Sequence, residues 1–148
     1  MAKWLEIAKG EVGVSEVKGG ENKKIIEYHS TTTLKAKEDE IPWCSSFVNW
    51  CILKAGLKGT NSAAAKSWLD WGVACEPREG AICIIQQKQA GADKATGSSS
   101  GYHVGFYLRE QDGRVRLLGG NQGDSVKESG FGLGSYRIVG MRWPTEEA

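Results

Sequence analysis

The chain has 148 residues, a mass of 16.1 kDa and a formal charge of +1, from 19 basic and 18 acidic side chains. Hydrophobic residues make up 40% and charged residues 25%, a globular balance that excludes wholesale disorder. The even charge argues against nucleic acid as main partner, because a phosphate-binding face needs a basic surplus, and no apolar run is long enough to span a membrane. The length predicts a single domain over 1–148. Lys3, Glu6, Lys9 and Glu11 interrupt the start of the chain, which a signal-peptide core does not allow. The expectation is a protein made in the cytoplasm, with something else releasing or delivering it wherever it acts.

In chain order, residues 3–12 place Trp4, Leu5, Ala8 and Val12 at helical spacing, with Gly13 as the stop. Asn22 is the expected N-cap of a second helix with Ile25, Ile26 and Tyr28 as its stripe. Residues 30–40 are polar and predict a loop. Pro42 opens a third helix that runs to about Ala55, with Gly56 ending it. That helix is apolar nearly all round, so it is expected at the centre of the protein. A fourth helix fits SAAAKSWLDW, capped by Asn61 or Ser62. Trp4, Trp50 and Trp68 fall on apolar stripes and belong to the core.

After Gly72 the pattern changes to strands: Ala81–Ile85, Tyr102–Leu108, Arg114–Leu118, Ser125–Glu128 and Tyr136–Met141. Helices followed by a run of strands predict an α+β fold with an antiparallel sheet. Lys88–Gly101, rich in Gly, Ser and Ala, predicts a long mobile loop leading into His103.

The four cysteines are Cys44, Cys51, Cys75 and Cys83. Cys44 and Cys51 share one helix, where seven residues rise about 10 Å, too far for a disulfide. No C-x-x-C occurs, and a zinc set of Cys44, Cys75, Cys83 and His103 has no local spacing behind it. Cys51, Cys75 and Cys83 read as small buried hydrophobes. Cys44 differs, because it lies in the first turn of its helix. The partial positive charge and free N–H groups there favour a thiolate and can stabilise an oxyanion. Such a thiolate is expected to alkylate fast at neutral pH.

A sulfur nucleophile needs an imidazole to exchange protons with the leaving group. Only His29 and His103 are available. His29, at the end of a polar helix, reads as a solvated surface residue, which leaves His103, at the head of an apolar strand. A third polar residue should orient the imidazole. If Asp112-Gly113 is a two-residue turn, His103 faces Gln122; if Gln111-Asp112-Gly113 is a three-residue turn, it faces Asn121. The first register puts Val104, Phe106 and Leu108 on one face with Val115 and Leu117. A bulge at Gly119-Gly120 can reconcile the two. Either way a carboxamide lies beside the imidazole.

These residues resemble a known family. Pro42-Trp43-Cys44-Ser45-Ser46-Phe47-Val48-Asn49-Trp50 is similar to the nucleophile helix of CHAP and NlpC-type cysteine peptidases. Glu76-Pro77-Arg78-Glu79-Gly80-Ala81 resembles their Pro-x-x-Gly turn, and Tyr102-His103-Val104-Gly105-Phe106-Tyr107 their His-Val-Gly strand. Gly119-Gly120-Asn121-Gln122 resembles the segment with their third polar residue. The resemblance covers roughly residues 42–122, with the flanking segments similar to small phage and prophage lysis proteins. Two positions depart from the pattern: Gly119 stands where many CHAP members have Glu, and Trp43 where many NlpC-type members have Asp.

The resemblance implies a papain-like fold, in which the helix bearing the cysteine packs on a sheet bearing the histidine. It implies a peptidoglycan hydrolase cleaving an amide bond through a thioester, with Cys44 as nucleophile, His103 as base and then acid, and Asn121 as orienting residue. Trp43 and Gln122 are then expected to touch substrate. This chemistry calls for no cofactor or metal. The expected partner is bacterial peptidoglycan, met by a monomer in the periplasm after release, as for an endolysin, or after delivery, as for an antibacterial toxin. No separate wall-binding module is expected. The alternative is a module of the same fold that binds wall peptides without cutting them.

Overall fold

A computed structural model describes residues 2–16, 22–32, 43–89, 91–93, 95–96, 98 and 100–145. The helices come first: α1 (Lys3–Lys9), α2 (Lys23–His29), α3 (Cys44–Lys54) and a 3-10 helix (Ala65–Asp70). Six strands follow: β1 (Val73–Ala74), β2 (Ile82–Gln87), β3 (Tyr102–Gln111), β4 (Arg114–Gln122), β5 (Ser125–Gly132) and β6 (Tyr136–Trp143). They form one antiparallel sheet in the order β1-β6-β2-β3-β4-β5. The fold is α+β, as the order of helical and strand patterns predicts.

Each helix is set by local chemistry and then by what it covers. In α1, Trp4, Leu5 and Ala8 are buried, but the helix ends at Gly10 and Val12 is 54% exposed. Gly13, with φ of +106°, closes the following turn rather than the helix itself. In α2 the Asn22 side chain accepts the Lys24 N–H at 2.8 Å, the expected cap. Pro42 and residues 33–40 lie outside the described residues. Every residue of α3 from Cys44 to Ile52 is buried, so α3 is the central helix. The expected fourth helix is a 3-10 turn capped by neither Asn61 nor Ser62. Its N-cap is Ala64, and Ser62 Oγ accepts the Ala64 N–H instead. Asn49 of α3 ties down the preceding loop, accepting from the N–H of Thr60 and Asn61 and donating to the Ser62 carbonyl.

Two cores flank the sheet. One lies between the helices and the sheet and holds Trp4, Tyr28, Phe47, Trp68, Val104, Phe106 and Leu118. The other lies on the opposite face and holds Cys83, Ile85, Tyr107, Val115, Leu117, Phe131 and Met141. The sheet curls enough for Phe131 of β5 to meet Tyr136 of β6 edge to face, ring centroids 5.1 Å apart. Val104 and Phe106 are thus on the other face from Val115 and Leu117, unlike the two-residue-turn register carried through unbroken. The cause is a bulge. Gln111 pairs with Arg114 around Asp112-Gly113, both at positive φ, but the register slips by one residue between Tyr107 and Arg109. A one-residue slip exchanges the faces of everything beyond it.

The described residues of Lys88–Gly101 are more anchored than the composition suggests. Asp93 pairs with Ser98 in a bridge and is only 5% exposed. Its carboxylate accepts from the Tyr136 hydroxyl (2.7 Å), the Ala95 N–H (3.0 Å) and the Thr96 hydroxyl (3.3 Å). No helix among the described residues is long and apolar enough to cross a membrane.

Candidate active site

The site forms where β3 and β4 part. Their pairing stops at Phe106–Leu118. Beyond it, the Val104 N–H reaches the sulfur of Cys44, the first residue of α3. Val104 follows His103 in β3, so the helix start and the strand head meet here. The β4–β5 ladder is irregular between Gly119 and Gln122, and Asn121 there has a left-handed φ of 59°. A bulge in the Gly119–Gln122 stretch thus accompanies the one at Leu108.

The glycines of this stretch explain one another. A Cβ on Gly120 would lie 2.6 Å from the Trp43 ring and 2.8 Å from Phe47 Cβ, so only glycine lets β4 pass under the start of α3. A Cβ on Gly119 would lie 2.5 Å from Gln122 Oε1, and one on Gly105 would lie 3.4 Å from that same atom. The Gln122 side chain therefore lies across two glycines, one on each strand, to reach His103.

That reach fixes the imidazole's tautomer. Gln122 Nε2 donates to the carbonyls of Leu117 (3.1 Å) and Lys127 (2.8 Å), which uses both amide hydrogens. Its Oε1 can then only accept, and it lies 2.9 Å from His103 Nε2. The proton of the neutral ring must be on Nε2. Nδ1 is left as a bare lone pair, buried and without a hydrogen-bond partner among the described residues. A bare imidazole nitrogen is a base.

Both reactive groups are withdrawn from water. Cys44 is 4% exposed and His103 fully buried. Burial pushes the Cys44 thiol up to about 11, against the opposing pull of the N–H groups of Val104, Ser45 and Cys44 itself. Burial likewise holds the His103 imidazole down to about 4, although the Gln122 hydrogen bond and the Asp93 carboxylate favour its charged form. The helix start does act on the sulfur in the expected direction, but desolvation outweighs it. The resting pair is thiol and neutral imidazole, not thiolate and imidazolium.

This sets a pH dependence. Between about pH 6.5 and 4 the unfolded chain protonates His103 while the folded chain does not, so stability falls as pH drops through that window. Gln122→Glu places a carboxylate on Nε2 and raises the folded pKa. Denaturant titrations from pH 7 to 4 are expected to show a shallower loss in Gln122→Glu than in the wild type; equal slopes would refute the contact.

Of the sequence-predicted residues, His103 and Gln122 are in direct contact, while Cys44 meets β3 through the Val104 N–H on the helix side. His103 lies against Phe131 on the opposite face, and no hydrogen bond joins it to Cys44 among the described residues. Asn121 is adjacent and 2% exposed, but the imidazole's partner is Gln122, and Asn121 Oδ1 has no hydrogen-bond partner among the described residues. Trp43 does not line a cleft. It is fully buried, stacks on Tyr28 at 5.9 Å and donates its indole N–H to Glu16 at 2.8 Å. His29 is not on the surface: α2 packs on α3, and His29 is fully buried with Nδ1 2.9 Å from Ser46 Oγ. Cys51 and Cys83 are buried, while Cys75 is half-buried; all four cysteines are free thiols. Among the described residues no three His, Cys, Asp or Glu side chains gather as a metal site needs. Sequence reasoning missed Phe131, whose ring lies 5.4 Å from that of His103, and nothing in its local sequence marks it.

No protein-family model matches this chain, and no curated protein matches it.

Proposed function

We propose that the protein is a papain-like cysteine hydrolase that cleaves an amide bond of bacterial peptidoglycan. One observation carries the reading. Gln122 locks the His103 proton on Nε2 and leaves Nδ1 as a base in the residue next to Val104, whose N–H reaches the Cys44 sulfur. A buried polar atom left unpaired calls for an explanation, and a catalytic role is one. The wall as substrate rests on the resemblance to CHAP and NlpC-type peptidases.

The steps follow from the two groups. The proposed reaction needs Cys44 and His103 brought within proton-transfer reach, since no hydrogen bond joins them among the described residues. As Cys44 Sγ then attacks the amide carbon, its proton moves to His103 Nδ1. The oxyanion develops at the start of α3, where Trp43 supplies no side-chain cap and the N–H groups of Cys44 and Ser45 already point toward the sulfur. The imidazolium then protonates the leaving nitrogen, the C–N bond breaks, and a thioester remains. Water attacks the thioester with Nδ1 as base, releasing the carboxylate and restoring the thiol. Gln122 holds the ring throughout.

A second reading is a module of the same fold that binds wall peptides without cutting them, and the near-complete burial of Cys44 and His103 favours it. Digestion of purified peptidoglycan with mass spectrometry of the products separates the two. New termini support the hydrolase and identify the bond; binding without new termini supports the module.

A further inference from the structure

A second feature lies on the concave face beside His103. A cavity of about 420 Å³ opens between β5, the start of β6 and the Asp93 loop, lined by Ala95, Lys127, Ser129, Phe131, Tyr136 and Arg114 among others. Phe131 is shared with the site, since its ring lies 5.4 Å from that of His103. Lys127 is shared too: its carbonyl takes one of the two amide hydrogens that orient Gln122. The cavity thus adjoins the imidazole through Phe131.

The cavity's charge is one-sided. Arg114 and Lys127 line it, and no carboxylate does among the described residues. The neighbouring Arg109 and Arg116 are both neutralised by Glu128, at 2.8 and 2.9 Å. Arg114 and Lys127 form no ion pair among the described residues. The carboxylate behind the far wall, Asp93, is already satisfied by Tyr136, Ala95 and Thr96. The Lys127 ammonium also has a prepared place. A Cβ on Gly123 would lie 2.8 Å from Nζ, and Gly123 sits at a φ of 59° in the tight turn to β5. Glycine there serves both the turn and the lysine stem.

We propose that this cavity binds a carboxylate of the substrate's peptide, with Lys127 and Arg114 as counter-charges and Phe131 and Tyr136 as apolar walls. The proposal rests on the hydrolase reading for its substrate class and makes Lys127 a specificity-determining residue. A charge-assisted contact of this kind also rejects the uncharged amide of the same peptide, because the ammonium loses its hydration without gaining a counter-ion.

The test uses the full chain carrying Cys44→Ala, so that binding is read without turnover. Two probes are titrated by calorimetry: a wall stem tetrapeptide with free carboxylates, and the same peptide with every carboxylate amidated. The expected result is about tenfold tighter binding of the free acid, or about 1.4 kcal/mol, and loss of that preference on adding Lys127→Met. Lys127→Arg is expected to keep it. Equal binding of the two peptides, no binding of either, or equal weakening of both by Lys127→Met would overturn the proposal. Digestion of peptidoglycan by the wild type reports separately on the hydrolase. Digestion without carboxylate preference removes only the cavity's role; a Lys127-dependent preference without digestion removes only the hydrolase.

Discussion

Cys44→Ala is expected to lower peptidoglycan hydrolysis by at least about a thousandfold, the scale on which nucleophile removal acts in triad enzymes, while leaving the fold in place. Cys44 belongs to the helix-side core, but its sulfur is small and alanine removes that one atom alone. A thermal melt within a few degrees of wild type, together with absent product peaks, is the predicted pair of results. Retained cleavage would remove Cys44 from the mechanism. Loss of both fold and cleavage would be resolved by Cys44→Ser, which keeps the shape and replaces the nucleophile.

Trp43→Ala is expected to be the most destabilising single truncation near the site, by about 3–5 kcal/mol, or roughly 10 °C in melting temperature. The indole is fully buried, stacks on Tyr28, covers Gly120 and hydrogen-bonds Glu16. Removing it empties the junction of α2, α3 and β4. Trp43→Phe, which keeps most of that volume, is expected to fold and to hydrolyse peptidoglycan with an unchanged KM. A raised KM with normal stability in that variant would return Trp43 to the substrate cleft.

The strands were legible because apolar runs bounded by turn residues determine them locally, and the Asn22 cap for the same reason. Asp112-Gly113 marked its own turn, since both positions need positive φ. What was not legible depended on packing between distant segments. Polar neighbours around His29 suggest solvent, but the face that α2 turns to α3 decides its burial. The bulge at Leu108 has no glycine or proline to announce it, yet it exchanges the faces of β3. Position alone left Asn121 and Gln122 level as partners of His103. The discriminating signal was present in the glycines: Gly105 and Gly119 leave room on two adjacent strands for one long side chain, and Gln122 is the amide long enough to use it. The thiol's state was misjudged because a helix start can be recognised from sequence, whereas the depth at which it is buried cannot.

That depth has a consequence for how the protein endures. A thiol held protonated and sealed from water is a poor target for alkylating agents and peroxides, which react with thiolates. Slow labelling of Cys44 by iodoacetamide is therefore the expected behaviour of a competent resting enzyme, not a sign of an inert one. With Cys51 and Cys83 also buried, Cys75 is the accessible sulfur of the folded chain. An aromatic disulfide reagent is expected to titrate about one thiol per native chain quickly, and all four after unfolding. Under the proposed function, this burial keeps the nucleophile unspent through reducing and oxidising surroundings alike.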